Sequence, residues 1–579
     1  MTFNKYPSVK FRGNGNCLEG WRSIYTELSL KIQTAHAHHV VIECYHGVFI
    51  QDILNFIADY FPEAQTILSS NAYRSEDEII KLTYPNITDD RVFGFMTSLE
   101  LRDLFDPQKI QEINKALEKN QQLIFIVGIG ASLIEADPDL VIYADMARWE
   151  LQMRMRRKEV ANIGLSNQQE AFELQYKRGY FLDWRLCDKV KKNLIPKADF
   201  VLDINDRKNP KLLTGSTFMQ ALKQTVQQPF SLMPFFDPGP WGGQWMKEKF
   251  QLDPAAPNYA WCFNCVPEEN SLLIDFDGVK FETPAINLVL FEPVELLGKK
   301  VQNIFGDEFP IRFDFLDTIQ GGNLSLQVHP LTNYIKEKFG MSYTQDESYY
   351  ILDAEPDATV YLGLVDNVDK TAMLEDLKSA QKDPTRPFIA DQYAKKWPAK
   401  KHDHFLIPAG TVHCSCSGCM VLEISATPYI FTFKLWDWGR LGMDGKPRPI
   451  YIEHGSNVIQ WDRQVEWTRS NLINQFSTIE QNDVLLQEHT GLHDLEFIET
   501  RRFTQSGKVS HQSNDSVNVL MIVEGEQAIV ESPDGLFDPF IINYAEAFVI
   551  PAGIKSYDIR PYGASAGKSI MVIKAFVRV

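Results

Sequence analysis

The sequence predicts an α/β N-terminal domain with a mainly parallel sheet, followed by a mainly-β double jelly-roll region with helical inserts. Three observations carry this expectation. Up to about residue 220, short β-branched runs alternate with amphipathic helical segments, the pattern of strands covered by helices on both faces. A proline-, glycine- and aromatic-rich stretch, VQQPFSLMPFFDPGPWGGQWM (226–246), then reads as an irregular connection. Beyond it short strands dominate, and the phrase IPAG ends a strand twice, at 407–410 and 550–553. The expected division is 1–225, 226–470 and 471–579.

Taken in order, HHVVIECYHGVF (38–49) is a strand running into a turn, and QDILNFIADYF (51–61) is an apolar-periodic helix. AQTILSS, QQLIFIVGIGASLI and DLVIYADM are further strands. DPQKIQEINKALEKN (106–120) opens on Asp-Pro, a good helix start because proline at the first helical position lacks only an amide that has no partner there. The segment DLVIYADMARWELQMRMRRKEVAN is a strand leading into an arginine-rich helix. Arg148, Arg154, Arg156 and Arg157 are a candidate phosphate clamp, against the plainer reading of a solvated basic face, which is preferred. His36, His38 and His39 lack a carboxylate or cysteine at helpful spacing and read as loop and strand-edge residues.

Composition bounds the function. The 579 residues require more than one core, and 44% hydrophobic with 23% charged residues is ordinary for globular chains. A net charge of -18 argues against nucleic acid as a partner, since such domains carry a basic footprint. No apolar run approaches the length of a membrane span, and the N-terminus lacks an apolar signal core, so no membrane partner and a cytoplasmic location are expected. The eight cysteines show no disulfide spacing.

The candidate chemistry lies in NLSLQVHP (323–330) and DESYYIL (346–352). Strand alternation in LSLQVH sends Ser325, Gln327 and His329 to one face and Leu324, Leu326 and Val328 to the other. A polar row facing a β-rich interior needs a partner, and a divalent metal supplies one. Helical inserts are expected at 331–340 and 368–398. YAWCFNCVPEENSLLIDF, ATVYLGLV, CMVLEISATPYIFTFKLWDW, VNVLMIVEGEQAIVES and EAFVIPAGIKSYDIR have strand length and composition. FLIPAGTVH ends on His413, whereas FVIPAGIKSY carries Ser556-Tyr557, so the second unit is expected to be structural and metal-free.

From about residue 230 to 579 the ordered motifs PWGG, WCFNCVP, LSLQVHP, ESYYILD, IPAGTVH, VLEIS and KLWDWGR resemble class I mannose-6-phosphate isomerases, zinc-dependent cupin enzymes. The resemblance implies a fold of paired jelly rolls and interconversion of mannose 6-phosphate and fructose 6-phosphate through a cis-enediol. It places the metal ligands at Gln327, His329, Glu347 and His413. Two imidazoles, a carboxylate and an amide oxygen suit one Zn²⁺, and other divalent ions are acceptable to the same donors. It implies Arg440 as a catalytic oxyanion-stabilising group, Glu423 as a proton acceptor or hydroxyl-positioning group, and Ser325 as a contact of the sugar phosphate. The N-terminal 225 residues resemble the nucleoside or uridine kinase branch of P-loop proteins. However, ECYHGVF (43–49) offers one glycine and no lysine where GxxxxGK[ST] belongs, so a degenerate kinase-like domain is expected.

Three departures bear on the substrate. Gln345 stands where the family has a lysine, Leu331 follows His329-Pro330 where the family tends to have aspartate, and Gly439 replaces the acidic residue before the arginine. Losing a cation from a phosphate-facing position weakens the case for mannose 6-phosphate itself. A catalytically silent, metal-containing sugar-binding or regulatory protein is therefore the alternative, with kinase activity of the N-terminal domain a third reading. Cys414, Cys416 and Cys419 beside His413, with Cys262 and Cys265, are read as buried free thiols and not as a thiolate zinc cluster. The expected partner is a sugar phosphate, with a homo-oligomer left open.

Overall fold

The computed structural model describes residues 2–118, 122–383, 386–441, 448–491 and 496–579. It divides into two compact units, one of Met1–Pro7, Val226–Asn270 and Glu292–Val579, the other of Ser8–Thr225 with Ser271–Phe291.

The second of these is mixed α/β. Its seven-stranded sheet has the order Leu18–Glu19, Lys211–Thr214, Phe200–Asp203, Leu140–Asp145, His39–Cys44, Ile124–Gly128, Gln65–Leu68. The last five of these run parallel, and Lys211–Thr214 and Leu18–Glu19 add antiparallel at one edge. Leu140–Asp145 and Ile124–Gly128 are buried along their whole length, which is why they read as unbroken apolar runs. The helix Ile50–Tyr60 buries Ile53, Phe56 and Ile57. The Asp-Pro helix spans Pro107–Leu117, with the Asp106 carboxylate accepting from the Gln108 amide as N-cap. The last two residues of that expected segment, 119 and 120, lie outside the described residues.

The arginine-rich helix, Arg148–Arg156, departs from both sequence readings. Arg154 is fully buried and donates to the carbonyls of Gly47, Ile204 and Asn205 while pairing with Glu150, so its charge fastens loops together. Arg148 stacks over Trp184 at 3.9 Å and donates to the Tyr45 hydroxyl. Glu43, at the end of its strand, accepts from the amides of Gly130 and Ser132 and from the Ser132 hydroxyl. The segment Ser271–Phe291 was expected among the β-rich strands but folds here. Its hairpin, Ser271–Phe276 with Val279–Pro284, pairs with Ser8–Lys10. Its Glu282 and Asn287 bond Trp149 and Asp145.

The other unit holds two antiparallel sandwiches. In the first, a six-stranded sheet runs His404–Ile407, Glu347–Ala354, Cys419–Ala426, Ile311–Asp317, Trp261–Cys265, Phe235–Asp237. A five-stranded sheet runs Ala394–Pro398, Thr359–Leu364, His413–Ser415, Leu326–Val328, Phe433–Trp436. The expected inserts appear as helices Thr332–Phe339 and Lys370–Lys382, but Ala394–Pro398, expected to be helical, is an edge strand. The second sandwich repeats the plan with six and four strands around a core that includes Phe503, Leu520, Val530, Phe548, Tyr557 and Val572.

Within that second core lies Lys574, 2% exposed, its ammonium donating to the Gln512 carbonyl and lying over the rings of Tyr557 and Phe576. Burial drives its pKa down to about 7, with Arg501 adding to the shift. Because the folded-state value is depressed, the unfolded chain binds more protons between about pH 7 and the ordinary lysine value, and stability rises with pH across that window. Lys574→Met is expected to abolish this slope and to stabilise the C-terminal sandwich at neutral pH by about 2–4 kcal/mol, read from thermal melts at pH 6.5, 8 and 9.5.

Candidate functional site

Backbone register builds the site. Gln327 lies directly opposite His413 on the neighbouring strand, and Glu347 lies opposite Ser425 on one side and Ile407 on the other. Residues paired across strands share a face, so Gln327, His413, Glu347 and Ser425 are aimed inward by pairing that the alternating sequence dictates. His329 follows its strand by one residue.

The ligand atoms of His329, Glu347 and His413 lie within 4.8 Å of one another, and all three residues are buried. The Nδ1 atoms of His329 and His413 face the carbonyls of Phe431 and Thr411, at 3.2 and 2.8 Å. Those carbonyls accept only from a protonated Nδ1, so each ring turns its Nε2 to the centre. There His329 Nε2 is 3.2 Å from Glu347 Oε2, and His413 Nε2 is 2.8 Å from Oε1. Neither His329 Nε2 nor Glu347 Oε1 makes an aligned hydrogen bond. Burial would raise the Glu347 carboxyl, but the two imidazoles outweigh it and hold the group well below the usual carboxylate range. The Gln327 amide lies 3.2 Å from His413 Nε2. Convergent donors that do not satisfy one another are what a divalent cation requires, and two imidazoles, one carboxylate and an amide oxygen fit Zn²⁺ or a similar ion.

Around Glu347 runs a hydrogen-bonded frame. Gln345 donates from Nε2 to Glu347 Oε2 at 2.9 Å and to Glu423 Oε1 at 3.2 Å, joining the two carboxylates. Glu423 also accepts from Ser425 Oγ at 2.9 Å and from Arg312 Nη2. Arg312 Nε donates to Ser425 Oγ. Asp314 stands opposite Glu423 in register.

Ser325 and Arg440 belong to a second cluster. Ser325 Oγ donates to Asp437 Oδ1 at 3.0 Å, Arg440 Nη2 pairs with the same oxygen, and Arg448 Nη1 lies 2.9 Å from Oδ2. Arg440 Nη1 donates to the Asn323 carbonyl at 2.6 Å. Among the described residues, two guanidiniums around one carboxylate leave one positive charge. Ser325 is two residues before Gln327, so this cluster begins roughly 7 Å along the strand from the metal centre. Gly439 has φ +69, a left-handed conformation that favours glycine, which accounts for the missing acidic residue there.

Sequence reading therefore found the residues that converge, and missed Arg312, Asp314 and Lys434. Lys434 pairs in register with Gln327 and so shares the inward face. The strand alternation of FTFKLW and IRFDFLD was the available signal. The five cysteines Cys262, Cys265, Cys414, Cys416 and Cys419 are buried and free, and the Cys414 thiol bonds the Leu324 carbonyl.

A family model described as "Domain of unknown function (DUF8485)" matches residues 20–227. The mannose-6-phosphate isomerase of Streptococcus mutans is 24% identical over 323 residues, which are 55% of this chain and 90% of that protein. Mannose-6-phosphate isomerase ManA of Bacillus subtilis is 24% identical over 259 residues, 44% of this chain and 74% of the relative. Among solved structures, the mannose 6-phosphate isomerase of Bacillus subtilis superposes with a TM-score of 0.49 at 19% identity, covering 60% of this chain and 99% of that one.

If these donors hold a metal, His413→Ala is expected to lower bound metal at least about tenfold by elemental analysis. Chelation is expected to lower the melting temperature of the wild-type protein, since a ligand at a hundredfold excess over its Kd contributes about 2.7 kcal/mol. The variant's melt is expected not to respond to chelator.

Proposed function

We propose that the chain is a metal-dependent aldose–ketose isomerase of a sugar phosphate, interconverting mannose 6-phosphate and fructose 6-phosphate or a close relative through a cis-enediol. The observation that carries the reading is the convergence of His329, Glu347 and His413 with Gln327 beside them. The relatives named mannose-6-phosphate isomerase support it. Gln327, His329, Glu347 and His413 would hold a divalent ion, Zn²⁺ first among the candidates, and that ion would supply Lewis-acid charge to polarise a sugar carbonyl or hydroxyl.

The protein's own residues divide the remaining work. Ser325, Arg440 and Arg448 form an anion-facing end with one uncompensated positive charge, suited to a phosphate or to developing oxyanion character. Fixing the sugar between that end and the metal centre supplies orientation, which lowers the barrier without any new bond. Glu423, whose Oε1 accepts from three donors and is held in place by them, is suited to orienting a sugar hydroxyl. For the N-terminal unit the reading is a kinase-like fold without phosphoryl transfer. What supports this is the stretch 43–49 at the end of the Glu43 strand, which offers one glycine and no lysine.

A silent sugar-binding protein remains the second reading, and the observation favouring it is Gln345, a neutral amide bridging two carboxylates where the resembled enzymes carry a lysine. Formation of fructose 6-phosphate from mannose 6-phosphate in a coupled assay, abolished by chelator and restored by metal, is the expected result. Arg440→Ala is expected to lower turnover by about 10²-fold with metal content unchanged. Binding of the sugar phosphate without turnover would select the silent reading.

A further inference from the structure

The inner face of the six-stranded sheet carries an acid that has no hydrogen-bonding partner of its own. Asp314 is 2% exposed and lies opposite Glu423, on the strand that also carries Arg312. Arg312 Nε lies 3.3 Å from Asp314 Oδ1 but directs its hydrogen to Ser425 Oγ. Asp314 Oδ1 accepts no hydrogen bond, whereas the neighbouring Glu423 accepts from Arg312, Ser425 and Gln345. A continuous chain of contacts, Asp314 to Arg312 to Glu423 to Gln345 to Glu347, ties this carboxylate to the metal centre. The Asp314 and Glu347 strands are two apart in the sheet, roughly 10 Å between backbones. Gln345 Oε1 and the Tyr349 hydroxyl are also buried there without partners, so the polar atoms around this space await a polar occupant.

Resting on the isomerase reading, we propose that Asp314 is the catalytic base that moves the proton between C2 and C1, and that Arg312 and Glu423 position it. The carboxylate takes the C2 proton of the open-chain aldose. The C–H electron pair becomes the C1=C2 bond of the cis-enediol as the C1 carbonyl oxygen takes a proton from water. Asp314 then returns its proton to C1 on the same face while the C2 hydroxyl gives its proton back to water and becomes the ketone, so no net proton is gained or lost. Atoms and electrons balance without an oxidant or reductant. A base must be poised near the working pH, and burial pushes the Asp314 carboxyl up to about 7, with Arg312 opposing the shift and Glu347 adding to it. Sequence reading gave Glu423 either proton acceptance or the positioning of a sugar hydroxyl; its Oε1 is engaged by three donors, whereas Asp314 Oδ1 accepts from none.

The test uses the full-length, metal-loaded chain with mannose 6-phosphate, measuring fructose 6-phosphate formation, exchange of the C2 hydrogen with D₂O by NMR, and bound metal. Asp314→Asn, which keeps the shape, is expected to lower kcat and C2 exchange by about 10²–10⁴-fold, leaving KM and metal content within about twofold. Asp314→Ala is expected to regain exchange in formate, a recovery that a merely structural acid would not show. Wild-type isomerisation with Asp314→Asn equally active overturns the assignment and leaves the isomerase reading standing. So does loss of metal or of a cooperative melt in Asp314→Asn without formate rescue of Asp314→Ala. Absence of both turnover and exchange in the wild-type protein overturns the isomerase reading and the assignment together.

Discussion

One buried carboxylate constrains the rest of the first sandwich. Glu347 is fully enclosed, and an ionised acid there would be expelled or neutralised unless opposite charge and lone-pair geometry compensate for its lost hydration. Two histidines whose rings are oriented by the carbonyls of Phe431 and Thr411 turn their Nε2 atoms to it, and they converge only because strand register places His413 opposite Gln327 and Glu347 opposite Ile407. A slip of one residue in any of these ladders would turn the ligands outward. The site and the sheet pairing are thus one requirement, and the PAG turn after Ile407 sits where the two sheets exchange the chain.

From that centre charge is graded outward in two directions. Along the six-stranded sheet it alternates, Glu347, then neutral Gln345, then Glu423 held by Arg312, then Asp314. Along the other sheet it becomes positive, through Ser325 to the Asp437-bridged pair Arg440 and Arg448. An anionic group is repelled by the first direction and attracted by the second, so under the proposed reading the phosphate of a sugar phosphate would lie toward Arg440. A neutral amide at 345 leaves the positive charge of the site on the arginine side alone.

What could be read in the sequence, and what could not, follows from how local each signal is. LSLQVH announces its inward face by alternation alone, and Asp106-Pro107 announces a helix by capping chemistry. IRFDFLD alternates just as cleanly, yet a charge every second residue ordinarily marks the solvent side of a strand. Only the three-dimensional sheet shows Arg312 and Asp314 to be 3% and 2% exposed. Arg154 misleads in the same way, because a basic helix face is solvated by default and its burial depends on carbonyls from residues 47, 204 and 205. SLLIDF (271–276) reads as a strand, but no local feature tells that it will pair with Val279–Pro284 and Ser8–Lys10, since that choice is made by long-range pairing.

The second sandwich supplies an internal control for the argument about Asp314. Its strands follow the same order, and Asn518 pairs with Ile550 as Glu347 pairs with Ile407. Laid register on register, Asn518 takes the place of Glu347, Lys574 of Glu423, Arg501 of Asp314 and Glu499 of Arg312. The scaffold has kept its ladders and inverted its charges. An amide in place of the central carboxylate removes the anionic ligand, and an ammonium beside it repels a cation that the first sandwich would attract. If the acids of the first sandwich served only to hold the ladders together, the second could not hold the same ladders with opposite charges. The folding requirement is therefore pairing and burial, which both copies meet, while the sign of the inward charges is free to follow chemistry. In the first sandwich that sign favours a cation at Glu347 and a base at Asp314.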